Sequence, residues 1–301
     1  MNTAKKAILI IAAVITVIGA VTFVCAMSAA SWDFSVFENA KTVTNTYNVD
    51  EYFSEISIDT DTADILFVLS EDGKCVVECK EKENVTNSVS VENGKLVIKT
   101  VDNRKWYEHI GFDVGRQTMT VFLPQSEYAS LLIKESTGDI NVPEGFVFGN
   151  ADISLSTGDV TFSAEVKEKL KIRSSTGDVR ISKTSASVLD VSVSTGDVTV
   201  TDFTGDGFTF SGSTGDLKLK NAFFTGKMNV KSSTGDVSFD RCDAAEIYVK
   251  TSTGDVKGTL ASEKIFMTDT STGSVKVPKT ASGGKCEITT STGDIKIDVT
   301  D

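Results

Sequence analysis

From residue 131 to its end the sequence repeats itself every 19 or 20 residues, and this period limits the possible fold more than any other feature. The constant element is Ser-Thr-Gly followed by an acid. It begins at Ser136-Thr137-Gly138-Asp139 and returns with glycines at Gly158, Gly177, Gly196, Gly215, Gly235, Gly254, Gly273 and Gly293. One of the nine copies departs, with Ser274 in the acid position. Self-similarity at a fixed period of this length belongs to repeat architectures, in which each unit buries its apolar face only against its neighbours.

The flanks of each glycine show what the unit is made of. Five positions earlier stand Ile133, Ile153, Ile172 and Val191, and seven positions earlier Leu131, Ala151, Leu170 and Leu189. Two positions later stand Ile140, Val160, Val179 and Val198, and four later Val142, Phe162, Ile181 and Val200. Residues between them, such as Lys171, Arg173 and Arg180, are polar. Alternation of this kind predicts two short strands per repeat, each with one buried face. At the corner, glycine supplies a positive φ without steric cost, and an aspartate can accept nearby backbone N–H groups. The threonine before each glycine is expected to keep the inward parity.

Two architectures fit two strands per repeat. In a β-solenoid each repeat is one coil, stacked about 4.8 Å from the next. In a hairpin array, antiparallel pairs could close a membrane barrel. Outer-membrane strands need about 9–11 residues, whereas these runs cover only five or six. The reading is therefore all-β: a β-solenoid of 19–20-residue coils, preceded by an N-terminal transmembrane helix.

That helix is read from the other end of the chain. Lys5 and Lys6 precede an uncharged stretch from Ala7 to Trp32, and the first acid is Asp33. About 20 apolar residues suffice to span a bilayer, and lysines before the span predict an internal N-terminus with the bulk of the chain outside. The alternative is a secretory signal peptide cleaved near Ser28-Ala29-Ala30. Cys25 follows Val24, where lipidation would call for a small residue. The expected organisation is a cytoplasmic segment 1–6, an anchor 7–32, a tether 33–48, a degenerate β-repeat capping region 49–130 and the regular solenoid 131–301. Within 49–130, Ile56–Phe67 reads as one irregular coil with Ala63 at the glycine position, and Asn93-Gly94 is a hairpin turn signal. Cys75 and Cys79, about 13 Å apart along a strand, are too distant for a disulfide. With Cys242 and Cys286 they read as small core residues.

This layout resembles a bacterial family of proposed adhesins with β-strand repeats, similar to LiaG-type envelope-stress membrane proteins. The resemblance rests on Ile56–Phe67, on 93–98 (Asn-Gly-Lys-Leu-Val-Ile), on Trp106–Phe112, on Val121-Phe122-Leu123-Pro124 and on the nine glycine turns, and it covers about residues 50–301. It implies a fold and a location at the cell envelope, and far less about activity.

Few features point to chemistry. The net charge of −12 excludes a phosphate-binding surface for nucleic acid. The single histidine, His109, lies in an aromatic segment with Trp106, Tyr107 and Phe112, expected to cap the solenoid or to act as a recognition loop. No nucleophile elbow, phosphate loop or histidine cluster accompanies it. No catalytic residue, cofactor or metal site is assigned. Stacking would place Asp139, Asp159, Asp178, Asp197, Asp216, Asp236 and Asp255 in a ladder. Its mutual repulsion, about 1 kcal/mol per pair in water, must be offset by backbone N–H groups, by lysines such as Lys257 and Lys276, or by bound cations. The functional expectation is a non-enzymatic, membrane-anchored surface protein, an adhesin or envelope scaffold binding a surface polymer or protein. The alternative is a sensory or regulatory membrane protein that modulates an envelope-stress partner.

Overall fold

The computed structural model describes residues 3–29, 32, 42–104 and 117–300. They fall into two compact units, one comprising Met1–Thr42 with Asn103–Gly115, the other Val43–Asp102 with Arg116–Asp301. The first unit holds the helix Thr3–Ala29, whose segment Ile11–Ala29 is long and apolar enough to cross a membrane, a property that signal sequences share. The Trp32 N–H donates to the Met27 carbonyl at 2.8 Å just beyond the end of this helix.

The second unit is a β-solenoid of parallel, in-register coils. Like residues lie over like: Ile153 pairs with Ile133 on one side and Ile172 on the other, and Leu189 lies between Leu170 and Phe208. These side chains are fully buried. Burying each contributes about 1.5–3 kcal/mol relative to exposure.

Each regular coil has three inward runs where the sequence pattern gave two. In the strand Val179–Thr195 the buried positions are Val179 and Ile181, then Thr184 and Ala186, then Leu189, Val191 and Val193. The phase breaks at Lys183, again at Ser187-Val188, and finally at the glycine corner. Lys183, Asp202, Asn221 and Arg241 all take φ between 48° and 55° and stack as a second corner column. Asn221 cross-links it: its Nδ2 donates to Asp202 Oδ1 at 2.7 Å and its Oδ1 accepts from Arg241 Nη2 at 2.7 Å. The added run, that of Thr184 and Ala186, joins the same core: in its columns Phe224 packs against Phe203 and against Phe208 of the neighbouring run, with ring centroids 5.5 and 5.3 Å away.

Coil order departs from chain order at both ends. Strand Glu55–Thr62 lies between Lys95–Asp102 and Glu127–Thr137, parallel to both. At the other end, Gly284–Thr292 lies between Val237–Thr253 and Lys264–Thr272, so the last repeat of the chain is the penultimate coil. The N-terminal end is closed by antiparallel strands. Cys75–Lys82 pairs with Thr118–Leu123, and Val85–Glu92 turns through Asn93-Gly94 to pair with Lys95–Asp102. Antiparallel strands give the parallel stack an ending that further coils cannot join in register.

Candidate functional site

The repeated glycine corner holds most of the residues that the sequence singles out. Gly158 has φ +135°, and a Cβ there would sit inside the van der Waals sphere of the Gly138 carbonyl oxygen. Gly215 meets Gly196 in the same way at φ +130°. Each coil therefore passes so close to the one before that only glycine fits. The threonine before each glycine is exposed, against the expectation of inward parity: Glu135, not Thr137, takes the inward position. Backbone explains the change, since the Thr157 carbonyl accepts the Gly138 N–H at 3.0 Å and turns the residue onto the corner.

The acids form the ladder, and its chemistry is internal. Asp139 Oδ1 accepts the Asp159 N–H at 2.9 Å, Asp159 accepts Asp178 at 2.8 Å, and Asp178 accepts Asp197 at 2.9 Å. The series continues at 2.9 Å through Asp216, Asp236, Asp255 and Asp294. It stops at Ser274, whose N–H donates to Asp294 Oδ1 at 2.7 Å. Each carboxylate thus serves the following coil, and the copy without an acid occupies the outermost coil, which has no successor.

Several outer oxygens bind cations of the protein itself. Arg180 bridges Asp159 and Asp178 at 3.3 and 2.8 Å, Lys218 bridges Asp197 and Asp216 at 3.1 and 3.6 Å, and Lys257 holds Asp236 at 2.7 Å. The Asp216 N–H and then Lys218 hold the Asp197 carboxyl below its ordinary range, and Lys257 followed by the Asp255 N–H does so for Asp236. Among the described residues no group of three or more His, Cys, Asp or Glu is placed to hold a metal ion. The carboxylates stand one per coil with their oxygens turned to backbone and lysine or arginine, so the ladder does not converge on a cation.

Glu135 is a functional-type residue that the repeat pattern does not mark. Its carboxylate is buried in the column three residues before the glycine, beside Leu155, and accepts Thr60 Oγ1 and the Ala63 N–H. Burial pushes its pKa up to about 7 despite those donors. The four cysteines of the solenoid unit are buried thiols, and burial lifts Cys75, Cys79 and Cys286 to about 12. Such thiols are inert as nucleophiles. Trp106, Tyr107, His109 and Phe112 lie outside the described residues.

A groove of about 710 Å³ crosses the third face, from Glu165 and Lys167 over Ser185 and Thr204 to Phe223 and Asp243. It is open because Ser185 and Thr204 are short and because the inward positions behind them are Ala186 and Gly205. Phe223, aligned with Thr204 in the next coil, is 39% exposed and forms part of its wall. Nothing in the nine-glycine pattern pointed to this face. The signal lay in the column six residues after each glycine, where Lys183, Asp202, Asn221 and Arg241 stand at what parity alone would make inward positions.

The Toastrack DUF4097 family model matches residues 53–298. A solved structure of a proposed lipid-binding protein from Parabacteroides distasonis ATCC 8503 is 15% identical. The match covers 86% of this chain and 98% of that one, with a TM-score of 0.52. A proposed adhesin from Bacteroides fragilis NCTC 9343 is 16% identical over 86% of this chain and 97% of the other, with a TM-score of 0.46. No curated protein matches the chain. At such identities the likeness concerns the fold.

Proposed function

We propose, for a chain that belongs to the Toastrack DUF4097 family, a non-catalytic binding role at the cell envelope. The helix Thr3–Ala29 holds the protein in the membrane with Lys5 and Lys6 inside, and the solenoid is displayed outside to contact a surface polymer or protein. The observation that carries this reading is the commitment of the repeated acids. Seven aspartates in register would be the natural place for acid–base or metal chemistry, yet each spends Oδ1 on the next coil's backbone. General catalysis needs a carboxyl that can reach a substrate proton, and these are held in hydrogen bonds that build the wall. What the coils leave over is outward surface of uniform pitch, suited to many weak contacts along an extended partner.

The test uses the intact chain in detergent micelles, mixed with purified cell-wall material and, separately, cross-linked in whole cells. Co-sedimentation with the wall material supports the binding reading. Its absence, with a membrane protein recovered by cross-linking, would replace that reading with regulation of a membrane partner.

A further inference from the structure

We propose that the groove on the third face binds an extended, largely uncharged polysaccharide chain, which deepens the binding role above by naming its site and ligand class. The groove runs across successive coils, so its floor repeats with the stack: Ser185, Thr204 and Phe223 are register partners in turn, and Ala186, Gly205 and Phe224 line the next column. The pitch of such a floor is the strand spacing, about 4.8 Å, close to the length of one pyranose ring along an extended chain. A linear glycan laid across the coils would meet one register position per sugar, in turn a serine, a threonine and a phenylalanine.

The chemistry of the walls agrees. Sugars present hydroxyls at their edges and C–H groups on their faces, so a site for them combines short polar side chains with an aromatic surface. Ser185 and Thr204 supply hydroxyls, and Ser187 and Thr225 supply hydroxyl oxygens whose protons already go to the Lys167 carbonyl and to Asp206 Oδ1. Phe223 supplies a ring that is more than a third exposed, on a lining that also includes Val166, Ala186, Ala244 and Ala245. Phe224 beside it packs inward against Phe203 and Phe208, and Phe223 takes the outward parity, where its ring is open to a ligand.

Charge decides against an anionic polymer. Both lysines of the groove are already engaged, Lys167 with Glu127 at 2.6 Å and Lys264 with Asp243 at 2.6 Å. Lys264 is almost wholly buried and also donates to Ser262 at 2.7 Å. The remaining charges, Glu165 and Asp206, are acidic. A phosphate-rich or carboxylate-rich chain would meet a lining in which Glu165, Asp206 and Asp243 outnumber the two lysines. An acyl chain is a poor fit for a different reason, because the groove is open to solvent where a lipid tail needs apolar enclosure.

The experiment titrates cellohexaose and chitohexaose into the intact chain in detergent micelles, by calorimetry, with hexaalanine and phosphatidylglycerol vesicles as contrasting probes. Two variants alter the groove from the solvent side: Phe223→Ala removes the ring, and Thr204→Arg fills the floor. Tyr248→Ala is the matched control, since Tyr248 stands outside the groove beneath Lys227 and Lys285. We expect a hexasaccharide to bind, with affinity unchanged between low and high salt. Each groove variant should weaken it at least tenfold at unchanged melting temperature, and the control should not. Four outcomes overturn the proposal: no hexasaccharide binding, binding indifferent to Phe223→Ala and Thr204→Arg, equal loss in the control, or binding of hexaalanine or vesicles in place of sugar. The outcome for the broader role is separate. Wall co-sedimentation that survives both groove variants would keep the binding role and discard this site, whereas loss of co-sedimentation by the unaltered chain would discard the role itself.

Discussion

Replacing Asp216 by alanine removes the acceptor of the Asp236 N–H, at 2.9 Å, and one partner of Lys218. A hydrogen bond to a charged acceptor contributes about 1.5–3 kcal/mol net. Asp216 stands at a half-exposed corner where water can replace part of that, and the exposed lysine pair adds at most about 0.5 kcal/mol. Together these give a loss of about 1–2 kcal/mol. Asp216→Asn keeps an oxygen for the N–H and gives up only the charge, so it should cost about 0.5 kcal/mol. Ser274→Asp supplies a carboxylate to a coil with no successor and removes the hydroxyl that donates to Asp294 Oδ1 at 3.0 Å, so it should lower stability by about 1 kcal/mol in place of raising it. The assay is urea unfolding of the intact chain followed by circular dichroism, joined to hydrogen exchange at the peptide containing the Asp236 amide. Exchange there should rise about tenfold for each 1.4 kcal/mol lost locally. The reasoning fails if asparagine is as damaging as alanine, or if the Asp236 amide exchanges no faster in Asp216→Ala.

Three further outcomes are expected. Gly215→Ala puts a methyl group into the Gly196 carbonyl at φ +130° and should destabilise by about 3 kcal/mol or more, whereas Gly73→Ala, with open space around it, should cost about 1 kcal/mol in the same melts. Glu135 has a folded pKa of about 7 against 4.5 for the free group. The folded state therefore holds its proton where the unfolded state has lost it, and stability should decline between about pH 4.5 and 7, by on the order of 3 kcal/mol in all. Urea melts of Glu135→Gln across that window should lack this decline. Asp197 and Asp236 have the opposite sign. Their stabilisation is present above the ordinary aspartate range near pH 4 and is lost as pH falls through their lower folded values, so Asp197→Asn should shift the acid limb of unfolding.

What could be read from the residues was the stack. Glycines at constant spacing with β-branched columns on either side, Ile133 to Ile288 and Ile140 to Ile295, leave little but a coil with like over like. Repulsion required that the acid ladder be offset by backbone N–H groups, by lysines such as Lys257 and Lys276 or by bound cations; on Asp236 the Asp255 N–H and Lys257 do so. Three things were hidden. The second corner was hidden because polar residues in the left-handed region carry no glycine to mark them. The inward place of Glu135 follows the alternation from Leu131 and Ile133 but runs against the rule that a charged residue faces water, and the corner threonine is where that alternation ends. The exchange of the last two coils was encoded in Ser274, the one copy without an acid. A coil that cannot serve a successor belongs at the end, but that inference needs the direction of the carboxylate bond, which only coordinates supply.

The account depends on coils stacked in register, each handing its corner to the next in the order Gly235, Gly254, Gly293, Gly273. Paired cysteines measure this directly. In a Cys25→Ala background, Thr253→Cys with Thr292→Cys joins register partners of adjacent coils. Their separation of about 4.8 Å lies within disulfide reach. Thr253→Cys with Thr272→Cys spans two coils, about 10 Å, and lies beyond it. Mild oxidation of the intact chain should close an intramolecular disulfide in the first pair and none in the second. Closure of the second pair without the first would contradict the coil order, and closure of neither would contradict the stacked corners themselves.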